Sequence, residues 1–166
     1  MNTAHVHLLL NHVSILAALF SAFVYAWGLL KKDNSIQLVA LVGFIVAALA
    51  AIPVFLTGED AEELVENMSG VSKSMIEEHE ETANVALWLV EMLGAASLFQ
   101  IFSKKLQWKL ATKMPLPILL LALIAAGSIG YTGYIGGKIH HTEIYRNVNG
   151  GSIENGTGAG EQHKDD

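Results

Sequence analysis

The 166-residue sequence contains no cysteine, which excludes disulfides and thiolate metal sites and leaves the redox compartment undefined. It also has little charge. Asp, Glu, Lys and Arg make up 16% of the chain and apolar residues 52%, a balance typical of integral membrane proteins. There is no nucleophile with an evident base, no phosphate-cradling loop and no basic patch beyond short lysine-bearing turns. These absences argue against an enzyme and against a nucleic-acid-binding protein.

Long apolar runs predict four membrane-spanning helices. A helix needs about 20 residues to cross a hydrocarbon layer of roughly 30 Å. Three runs of that length carry no charge, and a fourth is interrupted only by Glu91. The predicted spans are residues 8–30, 35–57, 83–103 and 114–138. The sequence therefore predicts an all-α integral membrane protein whose residues 1–146 form a four-helix bundle with up-down-up-down topology.

The charges between the spans predict an orientation. Lys31 and Lys32 follow the first span, and four further lysines lie between the third and fourth. The positive-inside rule places both connections in the cytoplasm. The segment 58–82 is rich in Glu and Asp, so we expect it outside together with both termini. No basic region precedes the first apolar run, which favours a retained span over a signal peptide.

Two further segments lie outside the predicted spans. In the outer segment, residues 60–65 suggest a short helix, Ser69-Gly70 breaks it, and Ser72 is suited to capping a helix that runs through His79 into the third span. Residues 147–166 are rich in Gly, Asn and Asp and have almost nothing to bury. We expect this tail to be disordered.

Histidines are concentrated on the predicted outer side. The seven are His5, His7, His12, His79, His140, His141 and His163. At the helical rise, His7, His79 and His140 each lie roughly 36 to 38 Å from the cytoplasmic end of their span, and His12 lies about 7 Å deeper than His7. Three histidines from three spans therefore share one predicted layer.

The helical period also predicts which way these three histidines face. His7 continues the small and polar side of the first span, and His79 continues the small side of the third. His140 stands above Gly133, Gly136 and Gly137. Membrane helices approach one another along small residues, so we expect these three imidazoles to point into the bundle.

Several neutral imidazoles at one level suit a bis-histidine haem b. Its two axial nitrogens must reach the iron from opposite sides, and helix bundles build such sites from facing helices. The first and third spans are diagonal in an up-down bundle. His7 or His12 with His79 is the natural axial pair, and His140 is the fourth candidate for cofactor binding. Such a site would serve electron transfer or redox sensing.

A transition metal ion is the second candidate for the same cluster. Three histidines and a carboxylate form a common site for Zn, Cu or Fe. The candidate ligands are His7, His79 and His140 with Glu78, Glu80 or Glu143. The alternative is that each histidine is an interfacial side chain that reaches water and binds no cofactor.

Glu91 is the most costly residue in the predicted spans. It lies near the bilayer centre, where a charge costs on the order of 2.5 to 3.5 kcal/mol. We expect it to be protonated or paired. It could serve as a proton relay or gate, which would suit a small transporter, or it could be a neutral acid hydrogen-bonded to a hydroxyl such as that of Ser21, Tyr25 or Tyr131.

Glycines recur along the fourth span. Gly127, Gly130, Gly133 and Gly136 are three residues apart and form a smooth ridge that permits close packing of a helix or of a flat ligand. This ridge predicts an alternative function, that of a cofactor-free membrane subunit or assembly factor that packs a partner through the fourth span. The predicted partners are the lipid bilayer and either a membrane redox protein or a second copy of the chain.

Four short motifs carry a resemblance to a known family. They are His7-LLLN-His12 at the start of the first span, TGED from Thr57, a histidine leading into the third span at His79, and TGYIGGKI over residues 132–139. In these motifs the chain resembles a family of four-helix bacterial membrane proteins of unknown function, whose layout is similar to that of small b-type cytochromes.

The family pattern differs from this sequence at two positions. Members typically open with two histidines five residues apart, each followed by proline, and close with a GGxL-type segment followed by a histidine. Here Leu8 and Val13 occupy the proline positions, and the closing histidine corresponds to His140 or His141. The resemblance implies a bacterial inner-membrane protein with a haem or redox association.

Overall fold

A computed structural model describes residues 3–58, 66 and 73–140, with side chains described for 5–58, 66 and 73–139. Within these residues the chain forms four α-helices and one short 3-10 helix. The α-helices are α1 (Thr3–Leu30), α2 (Asn34–Leu56), α3 (Lys73–Lys105) and α4 (Pro115–His140), and the 3-10 helix is Lys109–Thr112. All four α-helices are long and apolar enough to cross a membrane. This confirms the prediction of an all-α, multi-pass membrane protein.

The helix α3 begins well before the predicted span 83–103. It starts at Lys73 and runs unbroken through His79, as the capping pattern at Ser72 predicts. Its first turns carry exposed glutamates, which are compatible with a helix that extends beyond an apolar layer. Several predictions fall outside the described residues. These are the short helix over 60–65, the break at Ser69-Gly70, the candidates His141, Glu143 and His163, and the tail 147–166.

Local signals account for the other helix ends. The Asp33 carboxylate accepts hydrogen bonds from the backbone N–H groups of Ser35 and Ile36, which caps α2. Lys32 adopts a left-handed φ of 54°, which turns the chain sharply between α1 and α2. Pro115 is the first residue of α4, where its missing N–H costs nothing.

Each α-helix packs mainly against the next one in the chain, and α1 touches α4 more lightly. Small residues set the closest approaches. A Cβ atom at Gly43 of α2 would overlap the Ser21 hydroxyl of α1, and one at Gly94 of α3 would meet the Cβ atom of Ala48. Glycine at these positions lets the helices pack at short distance in a setting where water exclusion gives no driving force.

The contacts pair early residues of one helix with late residues of the next. His7 of α1 contacts Val54 of α2, and the ring of His79 of α3 lies over Gly136 of α4. Lys104, in the last turn of α3, reaches Asn34 at the start of α2. His7 and Thr57 thus lie together, as do His79 and Gly136.

The predicted small and polar side of α1 is confirmed. Of its predicted members, Ser14, Ala18, Ser21, Tyr25 and Gly28 are buried and Asn11 is half-buried. The Ser14 hydroxyl donates to the carbonyl of Ala47 at 2.9 Å, so the buried polar group is satisfied by the α2 backbone. The opposite sides of the helices expose large apolar residues, among them Phe20, Phe23, Leu49 and Leu123. This pattern is consistent with a lipid bilayer around the protein.

The glycine side of α4 is not the buried side, contrary to the expectation from small-residue packing. Gly127, Gly130 and Gly133 are exposed, and a Cβ atom at any of them would meet nothing within 4 Å among the described residues. The side of α4 that packs inside consists instead of Ile118, Ala122, Ala125, Ile129, Ile135 and Ile139. Isoleucine and alanine side chains of α4 thus face the interior, and only Gly136 of the ridge has a described neighbour, His79.

Candidate functional site

His7 is held at the end of α2. Its Nδ1 atom lies 2.9 Å from the carbonyl oxygen of Val54 and 3.3 Å from Oγ1 of Thr57. A carbonyl only accepts, so Nδ1 carries the proton in the neutral ring and Nε2 keeps its lone pair. The contact with Val54 therefore selects the tautomer that leaves Nε2 available as a ligand or a base.

The carbonyl that His7 contacts lies at the end of α2, where it also accepts from the backbone N–H of Thr57 at 3.3 Å. The last carbonyls of a helix have no intrahelical partner. At this end the Thr57 hydroxyl donates to two carbonyls, that of Pro53 at 2.8 Å and that of Val54 at 3.2 Å. His7 adds a second side-chain donor to Val54. No sequence pattern indicated a backbone acceptor for His7, although Thr57 opens the TGED motif.

His79 lies against the fourth helix. A Cβ atom at Gly136 would lie 3.1 Å from Cε1, 3.4 Å from Nδ1 and 3.9 Å from Nε2 of the imidazole. The ring therefore lies on the glycine backbone of α4 at a distance that a side chain at position 136 would obstruct. His79 is half-buried, as expected for a ring that reaches into the bundle from α3.

His12 lies on the outer surface of α1. It is exposed, and its Nδ1 atom donates to the carbonyl of Leu8 on its own helix at 2.6 Å. Its neighbours Leu9, Val13 and Leu16 are exposed apolar residues. Residues five apart on a helix point in directions about 140° apart, so His7 and His12 cannot both face inward. Of the two alternatives for the first span, His7 is the one that faces another helix.

Two of the three predicted carboxylate ligands, Glu78 and Glu80, are exposed residues near the start of α3. Oε1 of Glu78 accepts a hydrogen bond from the Tyr131 hydroxyl at 3.3 Å. Over residues 5–58, 66 and 73–139, no group of three or more His, Asp or Glu side chains is arranged to hold a metal ion. His140 is the last residue of α4 and its side chain is not described. The three-histidine metal site therefore stays a prediction.

Glu91 is half-buried on α3. Its Oε1 atom is buried and has no hydrogen-bond partner among the described residues. The Tyr25 hydroxyl is likewise buried without a partner there, and the Tyr131 hydroxyl is bonded to Glu78 instead. Neither tyrosine therefore supplies Oε1 with the hydrogen bond considered from the sequence. The neighbouring Trp88 is exposed, which places the side of α3 with Trp88 at the bundle surface.

Comparison with known proteins gives no match to a family model, to a curated protein or to a solved structure. The resemblance to four-helix bacterial membrane proteins therefore depends on the motifs alone.

Proposed function

We propose that this chain is a bacterial inner-membrane protein with up-down-up-down topology and both termini outside. The topology is supported by the pairing of His7 with Val54, of Lys104 with Asn34 and of His79 with Gly136. The orientation is supported by the four lysines in the α1–α2 and α3–α4 connections and by the two that end α3.

We propose further that the histidine end of this bundle binds haem b through His7 and His79, and that the protein takes part in electron transfer or redox sensing. The observation that carries the proposal is the hydrogen bond from Nδ1 of His7 to the Val54 carbonyl. Ligand histidines commonly donate their second ring nitrogen to a carbonyl, which fixes the tautomer and raises the basicity of the ligating nitrogen. His12 makes the same kind of bond to a carbonyl of its own helix but is exposed, so His7 is distinguished from it by also facing α2.

A pair of histidine ligands requires fewer side chains than a closed metal site. His7 and His79 come from different helices, and the ring of His79 lies beside a residue with no side chain. A three-ligand site would need a further side chain, and the described residues do not supply one. When bound, a haem would supply one-electron chemistry, while the protein would supply two imidazoles and an apolar surrounding. A transition metal ion is the alternative occupant of the same histidines.

The test is the dithionite-reduced minus air-oxidised visible spectrum of the detergent-purified protein, with metal analysis of the same sample. We expect a b-type α band that is lost in His7→Ala and His79→Ala and retained in His12→Ala, the matched control. If the protein binds a metal ion instead of haem, and both variants lose it, then His7 and His79 are still the ligands but the bound group is the metal ion. The proposal would be refuted if both substitutions left the haem and metal contents unchanged. It would also be refuted if protein from haem-replete cells gave a flat spectrum and contained no bound metal.

A second candidate is a cofactor-free membrane subunit or assembly factor. It is favoured by the exposure of Gly127, Gly130 and Gly133, which leaves a smooth ridge on the outside of the described bundle. Such a ridge suits close approach of a helix from another protein or from a second copy of the chain. Copurification of a stoichiometric partner that is lost in Gly130→Leu, with no absorbance beyond the aromatic residues, would support this function over haem binding.

A further inference from the structure

Lys104 joins the two basic connections of the chain at one end of the bundle. Its Nζ atom donates to Oδ1 of Asn34 at 3.1 Å and to Oε1 of Gln37 at 2.9 Å. Asn34 directly follows the turn at residues 31–33, and Lys105 directly follows Lys104. These hydrogen bonds therefore bring the lysines of the α1–α2 turn beside those that end α3.

We call this surface the lysine end. It comprises Lys31, Lys32, Lys104, Lys105, Lys109 and Lys113. Within the two segments that form it, residues 31–37 and 100–114, Asp33 is the only carboxylate. Oδ1 of Asp33 already accepts hydrogen bonds from two backbone N–H groups at the start of α2. Within these two segments the lysine end therefore carries a positive charge that Asp33 alone does not balance.

Apolar side chains are interleaved with these lysines. Leu106, Trp108 and Leu110 are all exposed in the connection from α3 to α4. The Trp108 ring lies 6.0 Å from that of Phe99, near the end of α3. Lys31 lies over the ring of Trp27, 4.8 Å from its centroid. Tryptophan and lysine at the ends of membrane helices lie at the level of the lipid headgroups. The connection thus offers apolar groups to acyl chains and ammonium groups to headgroups.

We propose that the lysine end binds the phosphate groups of anionic phospholipids, with the connection 105–114 as the main contact. Clusters of about four to eight basic residues beside a membrane-spanning helix attract anionic lipids. The six lysines at this end fall within that range. A zwitterionic lipid also has a phosphate, but it has no net negative charge to balance the excess positive charge of the lysine end. The proposal is independent of what the histidines bind, because the two ends share no residue.

The test uses the fluorescence of Trp108 in the full chain. Trp27→Phe and Trp88→Phe leave Trp108 as the only tryptophan of the three. The protein is placed in phosphatidylcholine vesicles that contain increasing fractions of brominated phosphatidylglycerol or, in parallel, of brominated phosphatidylcholine. Bromine quenches only nearby tryptophans. We expect the anionic lipid to be enriched around Trp108 by roughly three- to tenfold over the zwitterionic one.

Lysine substitutions then show which residues cause the preference for the anionic lipid. Lys105→Gln, Lys109→Gln and Lys113→Gln together should bring the enrichment close to one while leaving the Lys104 contacts in place. The matched control, Lys73→Gln with Lys138→Gln, removes lysines outside the lysine end and should leave the enrichment unchanged. Equal quenching by both lipids, or equal loss in both sets of variants, would overturn the proposal. Enrichment that is lost in sodium phosphate but kept in sodium chloride of equal ionic strength would support contact with the lipid phosphate itself, because free phosphate competes for the same lysines.

Discussion

The Nδ1 atom of His7 lies 2.9 Å from the carbonyl oxygen of Val54 and joins the start of α1 to the end of α2. This one bond has two consequences. It adds a donor to a helix-terminal carbonyl that also accepts from Thr57, which is structural, and it fixes the ring tautomer, which prepares Nε2 for a ligand. Substitutions can separate the two, because only the second needs an imidazole.

We expect His7→Asn and His7→Ala to differ in stability but not in cofactor content. The amide nitrogen of asparagine can donate to Val54 in place of Nδ1, whereas alanine cannot. His7→Ala should therefore lower the free energy of unfolding by about 0.5 to 1.5 kcal/mol, and His7→Asn by much less. Both should lose the haem spectrum. Unfolding in detergent and the difference spectrum measure the two effects, and a spectrum retained by His7→Asn would rule out ligation through Nε2.

Gly136→Ala should displace the ring of His79 from its position against α4. The new Cβ atom would lie 3.1 Å from Cε1 of the ring, which is closer than ordinary contact, so the ring must move. We expect a shifted or weakened haem band. Gly133→Ala is the matched control, because its Cβ atom meets nothing within 4 Å among the described residues. An unchanged spectrum in Gly136→Ala would count against His79 as a ligand.

The close approach of α1 and α2 at Ser21 and Gly43 predicts strong coupling between these positions. Gly43→Ala would drive a methyl group into the Ser21 hydroxyl and should destabilise the protein by about 1 to 3 kcal/mol. Ser21→Ala removes that hydroxyl, so the double variant should recover part of the loss. The interaction free energy from this double-mutant cycle is the measurement. Strictly additive effects would mean that the helices are not in contact there.

The helical period predicted the buried side of α1 correctly because Ser14, Ala18, Ser21, Tyr25 and Gly28 all lie on one side of a regular helix. The start of α3 before the third span was likewise predictable, because a capping pattern at Ser72 precedes it. Such predictions require only the geometry of a single helix. The predictions of buried sides were correct for helices whose small or polar side is also the side that contacts the neighbouring helix.

Contacts between helices were less predictable. The glycines at 127, 130 and 133 form a smooth side, but whether it meets another helix depends on the rotation of α4, which Ile118, Ala125 and the other buried residues determine. The partner of His7 is a backbone carbonyl, and a sequence gives no local signal for which carbonyl will lie nearby. The same holds for Lys104, whose acceptors Asn34 and Gln37 are far away in the sequence.

Glu91→Leu should stabilise the bundle. Oε1 of Glu91 is buried without a hydrogen-bond partner among the described residues, and a buried unsatisfied polar group costs about 1 to 3 kcal/mol. Leucine removes that cost within a predicted span, so the free energy of unfolding should rise, whereas Glu91→Gln keeps a polar group and should not raise it. A less stable Glu91→Leu variant would indicate a satisfied carboxyl group. Vesicle transport that is retained by Glu91→Leu would remove the main support for a transporter.

The absence of cysteine allows the proposed orientation to be tested without background labelling. Lys32→Cys and Thr112→Cys place single thiols in the two lysine-bearing connections, and Glu66→Cys and Glu77→Cys place them in the acidic outer segment and the first turns of α3. All four positions are exposed. In intact spheroplasts a membrane-impermeant maleimide should label only Glu66→Cys and Glu77→Cys, and permeabilised membranes should label all four. Labelling of Lys32→Cys and Thr112→Cys in intact spheroplasts would reverse the orientation and place the lysine end outside, against the charge rule from which it was inferred.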